Sequence, residues 1–179
     1  SSRKEGNENI MKILWILPKW PLPANDGAKQ AHMALLREWP KEFPLDLAVY
    51  SDEEISEQQI NELKFQIGFR QLLILPKPKN TQIWKRLWAI TQSFISSLFF
   101  QKALPMTIQA FANKMAQAKW KNWSEKNHYT HIFFDGLHTG ALFWDQNDFH
   151  FPKNTKLMTR MHNNELALWQ QTAEFETRF

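Results

Sequence analysis

Apolar residues along the chain fall into short runs and longer periodic stretches that alternate. The first run, 12–17 (KILWIL), is almost continuously apolar and suits a strand buried on both faces. Four more read as buried strands: 45–50 (LDLAVY), 71–75 (QLLIL), 131–134 (HIFF) and 156–160 (KLMTR). Between them apolar positions recur at helical spacing. Residues 28–39 bring Ala31, Leu35, Leu36 and Trp39 near one face, and Pro40 ends the segment. Residues 56–67 predict a second helix, with Ser56 as a cap and Ile60, Leu63 and Ile67 sharing a face. Helical patterns follow over 81–100 and 107–126, a short one over 140–144, and a last one starting near Asn164. Strands alternating with helices predict an α/β domain: a Rossmann-like parallel sheet with helices on both faces. In such sheets ligands bind beyond the carboxyl ends of the strands, where the strand order reverses. The loops after the first, fourth and fifth strands are therefore where chemistry is expected.

Composition narrows this picture. A chain of 179 residues suggests one domain, large enough to fold without a disulfide or metal staple. It has no cysteine, which excludes a disulfide scaffold, a thiolate zinc site, an iron–sulfur cluster and a cysteine nucleophile. Apolar residues make up 43%, too many for a disordered chain. The 14 Phe and 9 Trp against 2 Tyr suggest that some aromatic surface meets an apolar partner. Net charge is +4, but Lys and Arg are scattered rather than clustered, so nucleic acid is not expected as a partner. Residues 1–10 are polar and patternless, and read as an upstream extension or expression remnant; the domain is expected over 11–179. No stretch of roughly 18 uncharged apolar residues occurs, so no membrane-spanning helix is predicted.

Three polar constellations stand at the predicted strand ends. After the first strand, Asp26-Gly27-Ala28-Lys29 opens a helix, where free N–H groups attract a phosphate or sugar hydroxyls. Asp26 also fits a plain N-cap, and Gly27 a plain turn residue. After the fourth strand, Asp135, Gly136, His138 and Gly140 combine a carboxylate and an imidazole with two glycines; a simple turn accounts for them equally well. After the fifth strand comes the densest polar cluster, Arg160-Met161-His162-Asn163-Asn164-Glu165. His162 can donate a hydrogen bond or take a proton near neutral pH, while Asn163, Asn164 and Glu165 also suit a helix start. Motifs for a nicotinamide dinucleotide, a P-loop, a nucleophile elbow or a histidine metal site are missing.

Together these segments resemble a known family. The stretch MKILWILPKWPLPANDGAKQAHMALLREW resembles the opening of the N-terminal domain of a GT-B fold glycosyltransferase of the retaining group 1 (GT4-like) class. TRMHNNELALWQ resembles the Arg-x-His-Asn-x-Glu stretch after the fifth strand of that class, and HYTHIFFDGLHTGAL its fourth strand and following loop. The sequence departs from the pattern at Ala28, where a second glycine is usual and a methyl group crowds a ligand lying on the backbone. The resemblance implies a glycosyltransferase with two facing halves, of which this chain is the N-terminal, acceptor-side one. The donor-binding C-terminal half is absent, so the isolated chain is expected to be inactive. A helical pattern running to Phe179 agrees with that expectation. The resemblance puts Gly27 near the donor phosphates and His162 beside the reacting sugar as the candidate catalytic residue. Asp26, Gly27, Asp135, His138, Asn163 and Glu165 are the candidate substrate-binding residues. A nucleotide-sugar donor and a glycan or lipid-linked acceptor are the implied partners; no cofactor and no metal are expected, and the location is expected to be cytoplasmic.

Residues 81–104 carry Trp84, Trp88, Ile95 and Phe99 with Lys85, Arg86 and Lys102 near the ends. Aromatic residues flanked by cations suit a bilayer interface, here the inner face of a membrane. An ordinary core helix, or a surface for a second domain, fits the same pattern. A non-enzymatic α/β binding or peripheral-membrane module is the alternative to the transferase, and a different α/β enzyme acting on a small phosphorylated ligand is a third reading.

Overall fold

The computed structural model describes residues 11–77, 111–145, 148–149 and 151–160. In chain order the elements are β1 (Ile13–Leu17), α1 (Gly27–Arg37), β2 (Leu45–Ser51), α2 (Glu57–Ile67), β3 (Leu72–Pro76), α3 (Lys114–Ser124), β4 (His131–Asp135), a 3₁₀ helix (Leu137–Phe143), β5 (Trp144–Asp145), β6 (Asp148–Phe149) and β7 (Lys156–Arg160). Five strands form one sheet in the order β3-β2-β1-β4-β7, every pair parallel. β5 and β6 make a two-residue antiparallel ribbon. The expected α/β architecture, a Rossmann-like parallel sheet with helices, is what the chain adopts.

Alternation along the strands assigns the faces. Ile13, Trp15 and Leu17 of β1 with Leu47 and Val49 of β2 meet α1 and α2. Leu14, Ile16, Ala48 and Tyr50 meet α3 and the 3₁₀ helix on the opposite face. Both faces of β1 are covered, which is why KILWIL has no polar alternation. α2 starts at a capping box in which Ser56 and Gln59 serve each other's backbone N–H, and ends on Gly68 at φ 69°.

Four expectations need correction. On α1 the buried residues are His32, Met33 and Leu36, whereas Leu35 is 42% exposed. The helix is turned so that His32 meets the carboxylate of Asp135, and this swings Leu35 off the sheet. The helix expected over 107–126 begins only at Lys114, because Asn113 caps it through Ala116 N–H and Phe111 sits in a turn before it. The short helix expected over 140–144 is instead the 3₁₀ helix from Leu137. The Gly136 carbonyl accepts both the Thr139 N–H and its hydroxyl, and so closes an i to i+3 turn. Finally, β7 is not a buried strand. It lies at one edge of the sheet with Lys156 and Leu157 exposed, and a charged edge resists pairing with another chain.

At the amino end of the sheet Asp46 is buried and fully satisfied. Its carboxylate accepts from Arg70 Nε and Nη2 at 3.0 and 2.6 Å, from Gln71 N–H at 3.2 Å and from the Tyr129 hydroxyl at 3.0 Å. Trp123 Nε1 donates to that hydroxyl at 2.8 Å.

Candidate functional site

The chain leaves β1 to build β2 and β3 on one side, then returns to build β4 and β7 on the other. The reversal lies between β1 and β4, and in such sheets ligands are expected beyond the carboxyl edge at that point. Three charged or polar side chains from three elements converge at this place. Asp135 ends β4 with no exposed surface. His32, on the second turn of α1 and 1% exposed, brings Nε2 to 3.1 Å from Asp135 Oδ2. Arg160, at the end of β7, brings Nε to 3.2 Å from Asp135 Oδ1. Its Nη1 donates to the Ala31 carbonyl at 3.4 Å, so the guanidinium spans from β4 to α1.

The register explains the convergence. Asp135 stands opposite Arg160 in the β4–β7 ladder, so both side chains leave the sheet on the same face. That face also carries α1, which supplies His32. A buried carboxylate is costly unless charge and hydrogen bonds compensate it; here Arg160 donates to one oxygen and the His32 imidazole lies beside the other. Arg160 keeps 23% of its side chain exposed, so the cluster lies close to the surface on that side.

The other predicted residues fall out as follows. Asp26 caps α1 by accepting from Lys29 N–H at 2.8 Å and pairs with Lys19 at 2.7 Å. The Lys19 hydrogen bond, then the Lys29 backbone N–H, hold its carboxyl below the ordinary value. Gly27 has an ordinary negative φ and open space where a Cβ would stand. Gly136 is different: its φ is 85°, and a Cβ there would lie 2.5 Å from the His138 ring. The close approach that this glycine permits is thus made by His138, whose imidazole packs between Gly136 and Phe111 at 4.7 Å between ring centroids. Lys77 lies 4.7 Å over the other neighbour of that group, the Phe111 ring, and Tyr50 donates to the Phe111 carbonyl at 2.9 Å. His162, Asn163 and Glu165 lie outside the described residues, as do 1–10 and the aromatic segment 81–104.

His32 was not singled out by sequence reasoning. The available signal was its spacing: four residues before Leu36 it falls on the buried stripe of α1, and a polar residue on a core-facing stripe needs a partner. Arg160 was noted in the sequence as the first residue of the polar cluster after the fifth strand.

A concavity of about 740 Å³ opens at the opposite end of the strands. Ile13, Trp39, Phe43, Phe133 and Met158 line it, together with His131 and Lys156. It is mostly apolar and holds no carboxylate, so it lacks the acid–base inventory of the carboxyl edge. Among the described residues no group of three or more His, Asp or Glu could hold a metal, and no helix is long and apolar enough to cross a membrane.

No family model, curated protein or solved structure matches the chain.

Proposed function

We propose that this chain is the acceptor-side domain of a glycosyltransferase that moves a sugar from a nucleotide-sugar donor to a glycan or lipid-linked acceptor. The observation that carries the reading is the Asp135–His32–Arg160 cluster, drawn from β4, α1 and β7 to the reversal point of a parallel sheet. Sugar transfer requires a crevice that orients an acceptor hydroxyl and offsets the charge of a departing diphosphate. A pinned guanidinium beside a buried carboxylate supplies polar groups in fixed positions for both tasks. In the reaction the acceptor oxygen bonds to the anomeric carbon, the bond from that carbon to the diphosphate breaks, and the hydroxyl proton leaves with the products. His162, directly after β7 in the chain, is the proposed contact to the reacting sugar.

The test is nucleotide release. The protein carrying this domain, incubated with a panel of nucleotide sugars and candidate acceptors, should release nucleotide with at least one donor. His162→Ala should lower turnover about tenfold or more. Binding without release would mark a non-enzymatic binding module, and no response to any donor would overturn the proposal.

A further inference from the structure

The hollow at the amino end of the strands is built from two rows of the sheet. Ile13, His131 and Lys156, the first residues of β1, β4 and β7, stand side by side in register. Two residues further along, Trp15, Phe133 and Met158 make the next row on the same face. Trp39 and Phe43, from the segment after α1, close the side. Trp39, Phe43, Phe133 and Met158 are large and apolar, yet all four stay half-buried. Their space of about 740 Å³ is of the size that takes a small organic molecule, and an apolar lining with few polar groups is the usual make-up of such a site.

The walls are fixed in advance. Trp39 Nε1 donates to the Phe43 carbonyl at 3.1 Å, and the Phe43 N–H to the Pro40 carbonyl at 3.1 Å, which closes the turn after α1. Trp39 meets the Phe133 ring edge-on with centroids 5.6 Å apart, and Trp15 stacks on Phe133 at 5.3 Å. Walls held this way lose little freedom when a ligand enters. The polar groups have one sign. Lys156 faces His131 across the ladder, and among the described residues no Asp or Glu lines the hollow. Among the same residues the Lys156 ammonium has no ion-pair partner, and His131 engages the Thr130 hydroxyl through Nδ1 at 2.9 Å. A lysine lays its methylenes on apolar surface and keeps its ammonium in water, so the cation marks the mouth.

We infer that this hollow binds an amphipathic carboxylate, with the hydrocarbon body against Trp39, Phe43, Phe133 and Met158 and the carboxylate at Lys156. The site lies at the end of the sheet opposite Asp135, and the inference stands independently of the transferase reading. Its basis is charge complementarity: an acid head answers the cation at the mouth, and a cationic or neutral head does not.

The probe is dodecanoate, titrated into the full chain at pH 8 below its micelle concentration and followed by calorimetry. Dodecyltrimethylammonium and dodecanol, of the same chain length, are the comparisons. Dodecanoate should bind saturably at one site, at least about tenfold more tightly than the ammonium compound. Lys156→Gln, at an exposed position, should weaken it about two- to fivefold, whereas Lys153→Gln, outside the hollow, should leave it unchanged. Met158→Glu puts a like charge into the hollow and should weaken binding at least about tenfold, with circular dichroism confirming the fold. Equal affinity for both head groups, unsaturable uptake, or wild-type affinity in Lys156→Gln overturns the inference. So does sedimentation that shows a dimer lost in Met158→Glu with no dodecanoate bound, since the hollow then takes a second copy of the chain. Dodecanoate bound only when it is carried in phosphatidylcholine vesicles overturns it as well, in favour of a bilayer surface.

Discussion

Two aspartates with no exposed surface stand at opposite ends of the same sheet, and their partners differ in kind. Asp46 is closed off by Arg70, the Gln71 backbone and Tyr129, a set that ties β2 to the start of β3 and the entry to β4. Asp135 instead meets His32 of α1 and Arg160 of β7, side chains brought from two distant elements. The first cluster is a matter of stability. Burial, and then the Asp46 charge, raise the Tyr129 hydroxyl above its ordinary value of 10.0, and burial does the same for Tyr50. Both folded values lie above the unfolded one. The stabilisation from keeping these hydroxyls protonated is therefore complete below pH 10 and is lost as pH climbs beyond it. Urea denaturation at pH 8 and pH 11 should show a marked loss of stability at the higher pH. Tyr129→Phe should cost about 1–2 kcal/mol at pH 8 and flatten the alkaline fall; an equal fall in wild type and variant would contradict this account of the network.

The junction from β4 into the 3₁₀ helix depends on one glycine. Gly136 combines φ 85° with an approach that would put a Cβ into the His138 ring. Gly136→Ala should therefore destabilise the chain by about 1–3 kcal/mol, part from backbone strain and part from the displaced imidazole. Gly136→Ala with His138→Ala should recover the second part only, so a double-mutant cycle by thermal unfolding should be non-additive. Additive effects would show that the ring is not what the glycine accommodates. Elements of this kind mark the limit of what the sequence discloses. The strands and α2 were legible because local signals agreed with the fold: continuous apolar runs, a capping box and a glycine stop. The orientation of α1 was not, because His32 overrides the apolar stripe through a residue more than a hundred positions away. The 3₁₀ helix was not, because a single carbonyl accepting two bonds from Thr139 decides it.

At the scale of the whole molecule the two ends of the sheet carry different chemistry. The carboxyl edge gathers Asp135, His32 and Arg160, whereas the amino end holds a satisfied network and an apolar hollow. The sequence pointed to the carboxyl edge through topology alone, and the parallel order with its reversal between β1 and β4 is that topology. It pointed to Asp135 as one of several polar residues near a strand end, without the partners that make it distinctive. Those partners come from elements distant in sequence, and only strand register and helix rotation bring them together. Hydrogen–deuterium exchange of the chain with and without a panel of nucleotide sugars tests the placement of function most directly. Protection at the start of α1 and across the β4–3₁₀ junction, with the peptides around Phe43 and Lys156 unchanged, is the predicted result. Protection confined to the peptides lining the apolar hollow would contradict the proposal that this edge handles the sugar.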